Sequence, residues 1–131
     1  MTEDRIREAE TRWRASRPGY YRMVLEMSGD RVETGRFAVV VRDGQVVSLR
    51  RNGQPIAPGR GQDYTVDGLF GMIQQELVLS KTPATLGAPG GYSAYLMAQF
   101  DPETGRLVEY NRSVGGASNG ITIKVLEFEK Q

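Results

Sequence analysis

Tyr64-Thr65-Val66-Asp67-Gly68-Leu69-Phe70-Gly71-Met72-Ile73-Gln74-Gln75-Glu76-Leu77-Val78-Leu79 carries the clearest helical period in the chain. Val66, Leu69, Phe70, Ile73 and Leu77 fall at i, i+3, i+4, i+7 and i+11, an apolar stripe along one helix face. Thr65 is placed to cap the amino end, with Asp67 in the first turn where the macrodipole favours negative charge. Tyr64 and Leu69 stand at the N′ and N4 positions of a hydrophobic staple. Gly68 and Gly71 each cost about 1 kcal/mol of helix propensity. Packing must therefore hold this helix, and one reading of the glycines is close approach of a neighbouring backbone.

Outward from this helix the chain divides into short alternating segments. Glu3 to about Ser16 reads as a first helix with an Ile6, Ala9, Trp13 seam, and Pro18-Gly19 ends it. Glu3–Arg7, Glu8–Arg12 and Glu10–Arg14 are supportive i,i+4 pairs, and Trp13 is expected to dock the helix on the core. Tyr21, Met23, Leu25 and Met27 alternate with polar neighbours, as do Phe37, Val39 and Val41, so two half-buried strands follow. A third strand runs from Gln45 to about Arg51. A two-residue Asp43-Gly44 loop would pair Val41 with Val46. A three-residue loop with a Gly44 bulge would pair Val39 with Val47 and Phe37 with Leu49, and it keeps the apolar face continuous, so it is the expected register.

Asn52 to Asp63 reads as a polar surface loop, and so does Ser80 to Gly91. Three further strands are expected, at about Tyr92–Phe100, Arg106–Val114 and Ile121–Glu129. Asp101-Pro102-Glu103-Thr104-Gly105 forms the first turn between them, and the mobile Gly115–Gly120 loop the second connection. The order helix, three strands, helix, three strands predicts an α+β fold: one antiparallel sheet of about six strands with two helices on one face, a two-layer sandwich. At 131 residues this is a single domain, 1–131, with halves of about 1–63 and 64–131 that suggest an internal duplication.

Composition removes several kinds of chemistry. The chain has no cysteine and no histidine, which excludes disulfides, thiol nucleophiles, Ser-His-Asp schemes and the usual zinc sites. The net charge of +1 gives no overall field for nucleic acid or anionic membrane. No run reaches the roughly 18 apolar residues of a membrane-spanning helix, and Met1–Ser16 is too charged for a signal peptide, so an exported form would carry its signal outside this numbering.

The motifs are weak. Gly59-Arg60-Gly61 begins like a dinucleotide fingerprint but lacks the third glycine and the preceding strand. Asp101 and Glu103 suit their turn better than an acid–base pair, and Glu109, Glu127 and Glu129 read as solvent-facing strand residues. Asn111-Arg112-Ser113 is an accidental match to a glycosylation sequon. The tyrosines are more suggestive. If Tyr20, Arg22, Tyr110 and Arg112 share the sheet face away from the helices, that face is amphipathic and rich in residue types that anchor protein interfaces.

The Trp-bearing helix leading to Tyr20-Tyr21-Arg22 is one of several pieces that match a known pattern. The others are Phe37 to Val47, Tyr64 to Phe70 and Phe100-Asp101-Pro102-Glu103-Thr104-Gly105. Together they resemble a family of small bacterial domains of unknown function, often found as secreted proteins or lipoproteins. The resemblance implies work outside the cytoplasm and assigns no activity, cofactor or catalytic residue. Cysteines often follow the family's first strand, where this chain has Met27-Ser28-Gly29. In outline the repeated helix and three strands is also similar to secreted inhibitor and propeptide-like domains, a fold-level analogy.

The expected function is a non-enzymatic interaction module of a bacterial cell envelope, binding another protein and no nucleic acid. One alternative is a small-ligand binder with a pocket between the central helix and the sheet near Gly68 and Gly71. Another is an enzyme using a carboxylate pair or Lys81, Lys124 or Lys130.

Overall fold

The computed structural model describes residues 2–29, 34–57, 64–82, 90, 93–115 and 120–131. Helix α1, Glu3–Ser16, begins at the Thr2 cap, whose hydroxyl accepts the Arg5 N–H. The expected Glu3–Arg7 and Glu10–Arg14 pairs form on its exposed side, while Arg12 donates to the carbonyl of Pro102. Ile6, Ala9 and Trp13 are buried as the seam predicted. Trp13 anchors an aromatic cluster, edge-on to Tyr21 at 5.6 Å and to Phe128 at 5.8 Å, with Tyr21 stacked on Phe128 at 5.1 Å.

Among the described residues seven antiparallel strands make one sheet: β1 (Tyr20–Gly29), β2 (Gly35–Arg42), β3 (Gln45–Arg51), β4 (Gln54–Pro55), β5 (Ala94–Phe100), β6 (Leu107–Val114) and β7 (Ile121–Lys130). Their order is β4-β3-β2-β1-β7-β6-β5, which puts the first strand beside the last at the centre. The class is therefore α+β, with one strand more than expected. The additional strand, β4, lies in the segment read as loop. Asn52 (φ 52°) and Gly53 form a tight hairpin turn there, and Arg50 and Arg51 pair with Pro55 and Gln54.

The β2–β3 connection also differs from expectation. Arg42 pairs with Gln45 and Val41 with Val46, so the loop is the two-residue Asp43-Gly44, both residues at positive φ (50° and 78°). A bulge opposite the Val40–Val41 step then leaves Val47 unpaired and 57% exposed. Beyond it Val39 meets Leu49, and both are buried. Face continuity was the right criterion; the chain satisfies it with a bulge inside β3 rather than a longer loop.

Helix α2, Val66–Ser80, lies over the same strand face as α1. Thr65 caps it as predicted, accepting the Gly68 N–H at 2.9 Å. The Tyr21 hydroxyl on β1 accepts the Val66 N–H at 3.1 Å, so the sheet itself satisfies a second free amide of the helix end. Tyr64 stacks on Phe37 and Phe70 on Phe100. The buried stripe is Val66, Leu69, Phe70, Ile73 and Glu76; Leu77, expected in it, is only partly buried. The core is the set of inward strand residues, Tyr21, Met23, Leu25, Phe37, Val39, Tyr110 and Ile123 among them, closed by the two helix seams.

The Asp101–Gly105 turn locks the second half of the sheet to α1. Asp101 accepts the N–H groups of Glu103 and Thr104, which holds its carboxyl below the usual carboxylate range. Gly105 lies against α1, where a Cβ would stand 2.1 Å from the Ala9 carbonyl oxygen, so only glycine fits.

Candidate interaction face

Strand alternation decides which side chains reach each face of the sheet. Because Tyr21, Met23, Leu25 and Met27 point to the helices, Tyr20, Arg22, Val24, Glu26 and Ser28 face the other way. On β2 the outward set is Arg36, Ala38, Val40 and Arg42, and β7 contributes Leu126 and Glu127 beside its bulge. Arg22, Val24, Glu26, Arg36, Ala38, Leu126 and Glu127 from these sets, with Arg50 of β3, line a depression of about 910 Å³ on the outer face. Its floor is apolar: Val24 and Ala38, with Leu126 44% exposed beside them. Its walls are charged. Arg22 pairs with Glu127 at 3.1 Å, Arg36 with Glu26 at 3.5 Å, and Arg50 donates to the Gly53 carbonyl at 3.4 Å. Outside the depression, on the same face, Arg42 stacks its guanidinium over the Tyr20 ring, 4.4 Å from the centroid. Side chains held this way lose less freedom when something binds over them.

The four residues singled out in the sequence do not share this face. Tyr20 and Arg22 lie on it. Tyr110 and Arg112 point the other way, into the core, with 0% and 3% of their surface exposed. Arg112 donates to both carboxylate oxygens of Glu76 on α2, at 2.9 and 2.7 Å, and the Tyr110 hydroxyl donates to one of them at 3.0 Å. Burial, and then the adjacent Glu76 carboxylate, push the Tyr110 hydroxyl far above its ordinary pKa of 10.0. The cause of the inversion is readable in hindsight. The alternate set on β6, Glu109, Asn111 and Ser113, is more polar than Tyr110, Arg112 and Val114. Glu109 reaches toward Lys124 and Asn111 accepts the Thr122 hydroxyl. A carboxylate in the helical stripe, three residues after Ile73, also calls for a buried cation, and Arg112 supplies it.

The other chemistry considered for the chain finds less support. Gly71 is exposed, with open space where a Cβ would stand, so close backbone approach does not explain it and it lines no helix–sheet pocket. Gly59-Arg60-Gly61, Tyr92 and most of the Gly115–Gly120 loop lie outside the described residues. Asp101 is committed to its turn. Lys81, Lys124 and Lys130 are exposed. Among the described residues no three carboxylates gather to hold a metal ion, and no helix is long and apolar enough to cross a membrane.

No curated protein matches the chain. Residues 5–84, more than half its length, match a family of unknown function, DUF6174, and the chain belongs to that family.

Proposed function

We propose that this domain is a non-enzymatic protein-interaction module of a bacterial cell envelope, and that its partner binds over the outer sheet face. The observation that carries this reading is the depression on β1, β2, β3 and β7, where an apolar floor is rimmed by fixed charges of both signs. Apolar centre and charged rim are the anatomy of a protein-binding patch. Nucleic acid would favour a surface of one sign, whereas here two of the three wall arginines are matched by glutamates. Those glutamates are held by arginines rather than by each other, which argues against acid–base chemistry in the depression. The envelope assignment draws on the resemblance of the sequence to secreted and lipoprotein-like domains.

The test is affinity capture by the tagged domain from separated envelope and cytosolic fractions, with Leu126→Asp and the double variant Arg22→Ala/Arg50→Ala run in parallel. A saturable envelope protein retained by the parent domain and lost from both folded variants is the expected result. Equal retention by all three removes this face from the function.

A further inference from the structure

The two edges of the sheet are finished in different ways. β4 is two residues long, contains Pro55 and follows Arg50 and Arg51, all features that discourage further pairing. β5 is seven residues, Ala-Tyr-Leu-Met-Ala-Gln-Phe, with no charge, proline or glycine. Among the described residues it pairs only with β6, and Tyr95 and Met97 are 64% and 66% exposed. Every second residue of such an edge turns its N–H and C=O away from the sheet.

We infer that β5 is a dimer interface: it pairs antiparallel with β5 of a second copy about a two-fold axis through Met97, making one fourteen-stranded sheet from two of seven. A second copy is the occupant because the strand is complementary to itself. An axis normal to the sheet sets inward residues against inward residues, and centring it on Met97 engages the whole strand. On the helix side Leu96 then meets Ala98 of the other copy, and Phe100 meets Ala94, each large side chain against a small one. On the outer side Tyr95 meets Gln99 and the two Met97 side chains meet each other. Two-fold pairing brings like against like at its centre, so any charge there would repel; this strand has none. Seven residues give roughly 24 Å of paired edge. That is a small interface, so the dimer is a weak one. This inference is independent of the partner proposed for the outer face.

Sedimentation analysis from micromolar to millimolar protein tests it. The wild-type mass is expected to rise from 14.5 kDa toward twice that value. Met97→Lys and Met97→Glu, both at an exposed position, are each expected to weaken association at least about tenfold. An equimolar mixture of the two is expected to restore it. Circular dichroism confirms that both variants are folded. A wild-type chain that stays monomeric overturns the inference, as do dimers untouched by either substitution or a mixture no tighter than its components.

Discussion

Tyr20-x-Arg22 on β1 and Tyr110-x-Arg112 on β6 are the same pattern of residues on two strands of one sheet, and each arginine meets a glutamate. Outside, Arg22 and Glu127 are 39% and 56% exposed at the side chain; inside, Arg112 and Glu76 are 1% and 10% exposed. Water does most of the solvating for the outer pair and little for the inner one. The outer pair can therefore exchange its partner for another molecule at small cost. The inner pair cannot, because either charge left alone would be stranded in a medium that solvates it poorly. Residue type alone carries no such information; the face does.

The largest test of this contrast removes one carboxylate from each pair. Glu76→Ala is expected to destabilise the domain by about 3–5 kcal/mol in denaturant unfolding, because Arg112 stays buried without its counter-charge. Glu127→Ala is expected to cost about 0–1 kcal/mol. Equal effects would break the comparison. Next comes Tyr110→Phe, which removes a hydrogen bond to a charged acceptor and is expected to cost about 1.5–3 kcal/mol at neutral pH. Its pH dependence sharpens the point. Because the folded hydroxyl titrates above the unfolded one, its contribution is complete below pH about 10 and fades as pH rises, since only the unfolded tyrosine ionises there. The gap between parent and variant should narrow in that alkaline range; a constant gap would mean that Tyr110 is no more than packing. The smallest effect is expected from Glu76→Leu, Arg112→Met and Tyr110→Phe together, which removes the whole polar triad and should lie within about 1 kcal/mol of the parent or above it. A loss as large as that of Glu76→Ala would mean that the ion pair itself, and not its completeness, holds α2 in place.

Both helices were legible because their seams repeat, over about two turns in α1 and about three in α2, and because Thr65 and the Pro18-Gly19 break mark ends. β1 and β2 were legible because their inward residues are all apolar. β4 was missed where Asn52-Gly53, a strong hairpin signal, was absorbed into a polar segment. The β2–β3 register was misjudged because a bulge and a longer loop restore the same face, and face continuity was weighed above the two-residue turn signal of Asp43-Gly44. On the candidate face, alternation correctly turned Tyr20 and Arg22 outward. It failed for Tyr110 and Arg112 because the group that draws them inward, Glu76, comes from another element, and pairing across elements leaves no local pattern. The depression was out of reach for the same reason, since β7, which supplies Leu126 and Glu127, lies far along the chain from β1, β2 and β3.

The neighbour of β1 on one side is β2, its successor in the chain; on the other it is β7, with Tyr21 opposite Lys130 and Gly29 opposite Ile121. In the order of synthesis, β1 therefore emerges well before the strand that closes its second edge. The family match, residues 5–84, covers β1 to β4 and both helices but none of the three strands that complete the sheet. A nascent chain at that stage carries β1 with one bare edge, apolar on its helix side and open to any strand that arrives before β7 does. Closing the centre of this sheet therefore depends on the long-range pairing of β1 with β7, a kind of contact that forms slowly.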